Sequence, residues 1–201
     1  MNETIAYYDA TAEAFTKRAA DNIEMIGIYD FFLSYLPKPS KDFSILDLGC
    51  GSGVHAKYFA DLGFSVTAMD GSKELCSVAS TLFAGPVLNM AFDDISFDQK
   101  FDAVWANASL LHVSSMDLPD ILKKIHSALK KDGVFFSSYK HGTYEGQRNG
   151  RFFNDMTAEK FRDIIEPLGL FDLIEGRIST DCRLRLDKQS ESWYQIILRK
   201  K

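Results

Sequence analysis

The residues best suited to chemistry lie in one glycine-rich segment, DLGCGSG at positions 47–53. Glycines at this spacing permit a tight turn and let the backbone approach a ligand closely at the start of a helix. A dinucleotide-binding fingerprint, G-x-G-x-x-G, would need its third glycine at position 54, which is Val54. The carboxylate of Asp47 would repel a pyrophosphate and attract an ammonium or sulfonium cation. We therefore expect this segment to bind a cationic ligand.

Acidic residues also follow the next two predicted strands. Asp70 ends the second strand, 21 residues after Gly49, and an acid at this place and distance binds ribose hydroxyls in nucleotide-binding folds. Asp93 and Asp94 follow the third strand. A carboxylate there can accept a hydrogen bond from an adenine amine, while a backbone N–H meets a ring nitrogen. The two adjacent acids leave the choice open, and we favour Asp94.

Apolar periodicity indicates the elements that must position these residues. Two helical stretches come first, and short apolar runs then alternate with amphipathic segments, which is typical of βαβ units and a parallel sheet. The segments 171–178 and 193–199 are separated by a turn-like stretch and should close the sheet as an antiparallel hairpin. We predict one α/β domain over residues 1–201, a three-layer α/β/α sandwich with an N-terminal helical cap at 1–36.

Composition argues against several classes of protein. The net charge of −5 disfavours a nucleic-acid or membrane-surface protein, because either needs a basic face. No apolar run reaches the roughly 18 residues of a membrane span, and the first residues show no secretory signal. The three cysteines have no metal-ligand spacing, so we expect neither a metal site nor a disulfide framework. A reducing, cytoplasmic location fits this cysteine usage.

Residues 45–70, with 101–107 downstream and 8–15 upstream, resemble the class I S-adenosylmethionine-dependent methyltransferases. Within that class the chain is similar to small bacterial methyltransferases of the tellurite-resistance-like and ubiquinone-biosynthesis-like types. The resemblance implies a seven-stranded sheet of order 3-2-1-4-5-7-6 with strand 7 antiparallel. It also implies S-adenosylmethionine as cofactor, S-adenosylhomocysteine as product, and a small molecule as methyl acceptor.

The resemblance assigns roles to individual residues. Asp47 would lie near the methionyl amine of the cofactor, Asp70 would hold the ribose, and Asn107 would lie beside the cofactor through its backbone. Tyr8 and Arg18 would close over the methionyl end, where Arg18 would meet the carboxylate, and Gly49, Cys50, Gly51 and Gly53 would bring backbone against the cofactor. From its residue type we interpret the Cys50 side chain as a small residue packed under the loop rather than as a nucleophile. The implied cofactor-binding residues are Tyr8, Arg18, Asp47, Gly49, Cys50, Gly51, Gly53, Asp70, Gly71, Asp94, Ile95 and Asn107.

Two histidines, His112 and His141, follow strands four and five and are the candidate catalytic residues. A general base is needed only for an acceptor that is protonated when it attacks, so neither histidine is required by the chemistry. His55 and His126 fall within helices, and we interpret both as structural or solvated.

A polar, glycine-rich segment at 140–156 interrupts the strand–helix alternation. Loops this long in small domains are usually functional or mobile, and this one follows the fifth strand. We expect an acceptor-site loop that closes over an anionic acceptor, because arginine suits carboxylate, phosphate or oxyanion. Its candidate substrate-binding residues are Lys140, Tyr144, Arg148 and Arg151.

The sequence bears differently on four alternative functions. A module that binds S-adenosylmethionine without catalysis, as a sensor or partner subunit, would carry the same cofactor residues. A DNA amino-methyltransferase would carry two prolines after strand four, and Asn107-Ala108-Ser109-Leu110 has none. A small RNA substrate is less favoured than a small molecule, and Val54 argues against a nicotinamide-dependent oxidoreductase.

Overall fold

The computed structural model describes residues 3–20, 25–180 and 191–201, and only the backbone of residues 18–20 and 26. The helices are α1 (Glu3–Ala20), α2 (Ile26–Leu33), α3 (Val54–Leu62), α4 (Lys73–Leu82), α5 (Leu118–Ala128) and α6 (Ala158–Ile165). The strands are β1 (Ser44–Leu48), β2 (Ser65–Asp70), β3 (Val87–Asn89), β4 (Phe101–Ala106), β5 (Leu129–Lys140), β6 (Glu145–Arg148), β7 (Arg151–Asn154), β8 (Phe171–Thr180) and β9 (Ser192–Lys200).

The main sheet has seven strands in the order β3-β2-β1-β4-β5-β9-β8. Strands β1 to β5 run parallel, as strand–helix alternation requires. β9 is antiparallel to both of its neighbours, β5 and β8. With the separate β6–β7 pair left out of the numbering, this is the predicted order 3-2-1-4-5-7-6 with strand 7 antiparallel. The predicted fold class is confirmed.

The central strands are buried on both faces, which explains why their sequences are almost continuously apolar. In β4, Val104 packs into the core on the side of α5 and α6. The next residue, Trp105, points into an aromatic core on the side of α2 and α3. There its ring stacks on Phe136 of β5, with ring centroids 4.3 Å apart. The sheet is therefore packed on both faces up to the ends of its central strands, where the loops begin.

Local signals place the helix ends as the sequence predicts. Gly63 ends α3 in the left-handed conformation, with φ of 111°. The side chain of Thr157 accepts a hydrogen bond from the Lys160 N–H at the start of α6. α1 lies across the start of α4, where Asp9 accepts hydrogen bonds from the Ser72 hydroxyl and the Glu74 N–H. No helix among the described residues combines the length and apolar character that crossing a membrane requires.

The segment 140–156 is not the loop that its composition predicts. β6 and β7 form an antiparallel hairpin whose turn residues, Asn149 and Gly150, have φ of 54° and 78°. Positive φ at both positions is typical of a type I′ hairpin turn, so the Asn-Gly pair was the signal in the sequence. The hairpin is attached to α1, because the Phe152 N–H donates to Thr4 Oγ1 over 3.1 Å. The segment is an ordered wall beside the N-terminal helix.

Candidate active site

A cavity of about 1590 Å³ lies beyond the carboxyl ends of the parallel strands. Its walls come from the glycine loop after β1, the end of β2, the turns after β3 and β4, helix α1 and the β6–β7 hairpin. Pockets for a single small ligand usually measure about 300–1,000 Å³. The cavity therefore has room for two small molecules side by side.

The glycine loop presents bare backbone to this cavity. Gly49 and Gly51 have φ of 78° and 55°, in the left-handed region that favours glycine. A Cβ on Gly49 would lie 2.4 Å from the Cβ of Ser109, and one on Gly51 would lie 2.9 Å from the ring of Phe15. Gly53 has a different role, because its Cβ would meet Ala79 of α4 at 3.0 Å. Gly53 thus allows two helices to approach, while Gly49, Cys50 and Gly51 line the cavity.

Asp70 is held at the end of β2 with its carboxylate on the cavity wall. One carboxylate oxygen accepts from the Gly51 N–H over 2.9 Å and the other from the Ser72 N–H over 2.8 Å. Burial raises the pKa of Asp70, and these backbone hydrogen bonds oppose that effect. Each oxygen keeps a further lone pair, so the oriented carboxylate can accept from a pair of hydroxyls, as a ribose would supply.

Asp47 lies underneath the loop and is 1% exposed. The Ala56 N–H donates to its carboxyl group, and its Oδ2 has no hydrogen-bond partner among the described residues. Burial, together with the nearby carboxylate of Asp70, raises the pKa of Asp47 to about 8. The carboxylate of Asp70, on the cavity wall, favours a cation in the cavity, which fits the sulfonium and ammonium groups of S-adenosylmethionine.

The turn after β3 places the two adjacent acids differently. Asp93 lines the cavity beside Phe92. Asp94 does not, because its carboxylate folds back to accept from the Ala91 N–H and its side chain is exposed. Ile95 is buried in the core behind the turn. A 3₁₀ turn at Phe92–Asp94 causes this arrangement, and it places Asp93 where Asp94 was expected.

His112 belongs to a chain of hydrogen bonds that joins α1 to the hairpin. Its Nδ1 lies 2.6 Å from the Phe152 carbonyl oxygen, which can only accept, so Nδ1 carries the proton. Its Nε2 therefore accepts from the Tyr8 hydroxyl over 2.9 Å. Tyr8 in turn accepts from Arg151 Nη1 over 3.2 Å. Burial lowers the pKa of His112 to about 4, so the ring is neutral and both of its nitrogens are occupied.

The cations near the hairpin differ in whether a carboxylate already neutralises them. Arg148 pairs with Asp155 over 2.8 Å, and Lys140 pairs with Glu191 over 2.9 Å. Arg151 lies over the rings of Tyr7 and Phe153, with no ion pair to a described residue and with Nε buried without a hydrogen-bond partner. All three cations line the cavity. Arg151 is the one with unused capacity for an anion.

Two other predicted site residues, His141 and Tyr144, do not line the cavity. His141 is exposed, and its backbone joins the end of β5 to Met156 and Ser192. Tyr144 is 43% exposed, and its hydroxyl donates to the Gln147 carbonyl within the hairpin. The Arg18 side chain lies outside the described part of the chain.

The structure adds cavity residues that sequence reasoning missed, above all His55. It lies in the first turn of α3, directly after the glycine loop, and its ring lines the cavity with Asn107, Ser138 and Trp193. The position of His55 at the start of the helix that carries the loop was the available signal. Ser138 is one of two adjacent buried serines that follow the apolar run 134–136 of β5, and a buried polar side chain is also informative.

The chain is similar in sequence to known methyltransferases. Residues 46–137 match the family of methyltransferase domains. The malonyl-[acyl-carrier protein] O-methyltransferase of Buchnera aphidicola subsp. Baizongia pistaciae is 34% identical over 153 residues, which cover 74% of this chain and 58% of that protein. The ubiquinone biosynthesis O-methyltransferase of Pelagibacter ubique is 31% identical over 114 residues, 54% of this chain and 47% of that protein. The chain thus spans about half the length of these curated relatives.

A solved structure shows the same fold. The 1,6-didemethyltoxoflavin-N1-methyltransferase of Burkholderia thailandensis, with bound 1,6-didemethyltoxoflavin and S-adenosylhomocysteine, superposes with a TM-score of 0.78 at 18% identity. The match covers 98% of this chain and 87% of that one. The sheet order and the glycine loop are those of the class I S-adenosylmethionine-dependent methyltransferase fold. Residues 46–137 carry the match to the methyltransferase domain family.

Proposed function

We propose that the chain binds S-adenosylmethionine against the glycine loop and transfers its methyl group to a small acceptor that has an anionic group. The observation that carries this proposal is the shape and charge of the cavity. The lining includes the bare backbone of the loop and the carboxylate of Asp70, and Asp47 is buried beneath the loop. It also includes the guanidinium of Arg151, whose Nε has no hydrogen-bond partner among the described residues. These groups suit a cation and an anion respectively.

The chain's own residues would hold the cofactor in one orientation. Asp70 accepts from the ribose hydroxyls, Asp93 accepts from the adenine amine, and the N–H groups and bare Cα atoms of the loop contact the methionyl part. Tyr8 and Phe15, whose rings meet edge to face with centroids 5.4 Å apart, cover this end of the cavity from α1. The bound cofactor supplies a methyl group on a sulfonium, which needs no further activation.

Rate enhancement would then come mainly from positioning. Holding two reactants in line, away from water, can supply about 7–11 kcal/mol of a barrier. The hairpin wall and α1 are joined by the Tyr8–His112–Phe152 hydrogen bonds, so they close the cavity with an ordered structure. His112 acts here as a positioning residue, since neither of its nitrogens has a free lone pair or proton.

The small-molecule acceptor is supported by the cavity and by the relatives. The volume of about 1590 Å³ leaves a second compartment beside the cofactor's place. Relatives named for malonyl-[acyl-carrier protein] and ubiquinone biosynthesis methylate oxygen. Arg151 offers a planar, two-pronged donor that matches a carboxylate. We therefore propose an acceptor with a carboxylate or similar anion at one end.

The proposal is tested by the ligand that the protein binds. The purified protein is denatured and the released small molecules are identified by mass spectrometry, and calorimetry then measures affinity for S-adenosylmethionine, S-adenosylhomocysteine and NADH. We expect the two sulfur nucleosides to bind and to raise the melting temperature by mass action. Stabilisation by NADH alone would overturn the proposal. Tight cofactor binding without S-adenosylhomocysteine formation from any acceptor would favour a binding module.

A further inference from the structure

We propose that His55, rather than His112, is the catalytic base, and that its Nε2 takes the proton of an acidic hydroxyl on the acceptor. This inference rests on the proposed function and deepens it, because it names the reacting group of the acceptor. It is carried by two observations. The hydrogen bonds around His55 leave Nε2 as the basic nitrogen, and the ring lines the same cavity as the cofactor-binding loop.

The tautomer of His55 follows from its neighbours in three steps. The Ala108 N–H donates to Ser138 Oγ over 2.8 Å, and that hydroxyl donates to Asn107 Oδ1 over 2.8 Å. The amide of Asn107 is thereby oriented, and its Nδ2 faces His55 Nε2 at 3.4 Å. Since the amide nitrogen can only donate, Nε2 is unprotonated.

The second ring nitrogen completes the assignment. His55 Nδ1 carries the proton and lies 2.8 Å from the hydroxyl of Tyr29, which accepts it. Tyr29 is itself immobilised, because its ring stacks on Tyr58 with centroids 3.9 Å apart. The imidazole is therefore held from behind, and among the described residues its basic nitrogen has one long contact, with Asn107. A nucleophile in the cavity can replace that contact at little cost.

The position of His55 suits proton transfer at the acceptor. The residue follows the glycine loop directly and contacts Asn107, which directly follows β4 on the cavity wall. Burial lowers the pKa of His55 to about 4, so the ring is unprotonated at neutral pH. A weak base of this kind suits a phenol or enol, whose proton leaves readily, better than an aliphatic alcohol.

The proposed step balances without any added reagent. The hydroxyl oxygen of the acceptor forms the new bond to the methyl carbon, the carbon–sulfur bond breaks with its electron pair on sulfur, and the hydroxyl proton passes to His55 Nε2. The proton then leaves to solvent, and a methyl ether and S-adenosylhomocysteine are the products.

The test compares two probes that differ in whether a base is needed. Both 4-hydroxybenzoate and 4-hydroxy-3-nitrobenzoate carry a carboxylate for Arg151, but the nitro compound has a phenol that is already ionised at neutral pH. Methyl ether and S-adenosylhomocysteine are quantified by mass spectrometry for wild type and His55→Gln. We expect the variant to lose about a hundredfold or more in kcat with 4-hydroxybenzoate, the range of general-base effects. With the nitro compound it should lose less than threefold.

Two further variants separate catalysis from folding. Tyr29→Phe keeps the packing but removes the oxygen that accepts from Nδ1, and we expect a several-fold loss with 4-hydroxybenzoate alone. His126→Gln alters a histidine that packs against Phe171 and does not line the cavity, and it should behave as wild type with both probes. Calorimetry with S-adenosylhomocysteine shows that each variant retains a folded cofactor site.

Every outcome bears on the inference. Equal losses of His55→Gln with both probes would assign His55 a structural role and overturn the proposal. Turnover of neither probe by wild type, with S-adenosylhomocysteine bound normally, would also overturn it while leaving the cofactor site standing. Failure of wild type to bind S-adenosylhomocysteine would instead refute the proposed function.

Discussion

The buried carboxyl group of Asp47 should destabilise the protein at neutral pH, and its replacement by asparagine should stabilise it. Asparagine has nearly the same shape and can still accept from the Ala56 N–H. The pKa of Asp47 rises from an ordinary value of 3.8 to about 8 on folding. A group whose pKa is raised in the folded state stabilises the fold at low pH. This stabilisation is lost as the pH rises through the pKa of the folded state.

The magnitude follows from the same pKa change. Above the ordinary value, folding must take up a proton, which costs about 1.4 kcal/mol per pH unit. At pH 7 this cost approaches roughly 4 kcal/mol as an upper bound, and relaxation of the protein and water penetration reduce it. We expect Asp47→Asn to raise the free energy of unfolding by about 1–3 kcal/mol at pH 7 and to change it little near pH 4.

The assay is urea denaturation of wild type and Asp47→Asn without cofactor, at several pH values between 4 and 8. Circular dichroism monitors unfolding and gives the free energy of unfolding at each pH. Asp102→Asn is a matched control with the opposite sign. Burial alone would raise the pKa of Asp102, but hydrogen bonds from Lys130 and Ser44 outweigh it and hold the pKa below its usual range. The control should therefore destabilise the protein at pH 7. A less stable Asp47→Asn protein at pH 7, or an equal gain at pH 4, would refute the reasoning.

The same protein supports three further predictions. Asp70→Ala should weaken binding of S-adenosylmethionine by about 1.5–3 kcal/mol for each lost charge-assisted hydrogen bond, measured by calorimetry on a variant shown to be folded by circular dichroism. Arg151→Ala should raise the KM for 4-hydroxybenzoate and leave the affinity for S-adenosylmethionine unchanged. Arg148→Ala should lower stability instead, because Arg148 already pairs with Asp155. Equal KM values for the two variants would contradict this difference between the arginines. Gly53→Ala should lower the melting temperature, because φ of 83° and the contact with Ala79 both oppose a side chain.

Much of the fold, and the glycine loop and Asp70 of the candidate site, could be predicted from the sequence because their signals are local. The alternation of apolar runs and amphipathic segments predicted the parallel sheet, since each pattern depends only on residues close together in the chain. The glycine loop is local as well: the spacing of Gly49 and Gly51 requires backbone conformations that only glycine adopts easily. Asp70 could be located because it ends a predicted strand, and parallel strands bring their carboxyl ends to one edge.

The tertiary structure alone decided which polar side chains are available for chemistry. His112 and Tyr8 are 104 positions apart in the chain, and their hydrogen bond occupies the nitrogen that would have made His112 a base. In the proposed mechanism, His55 keeps its basic nitrogen because Asn107, 52 positions away, donates to it. Arg148 and Arg151 look equivalent in sequence, yet the hairpin gives only Arg148 a carboxylate partner among the described residues. Hydrogen bonds and ion pairs of this kind join residues that no local pattern connects, so the residues that do the chemistry are selected by packing between distant segments.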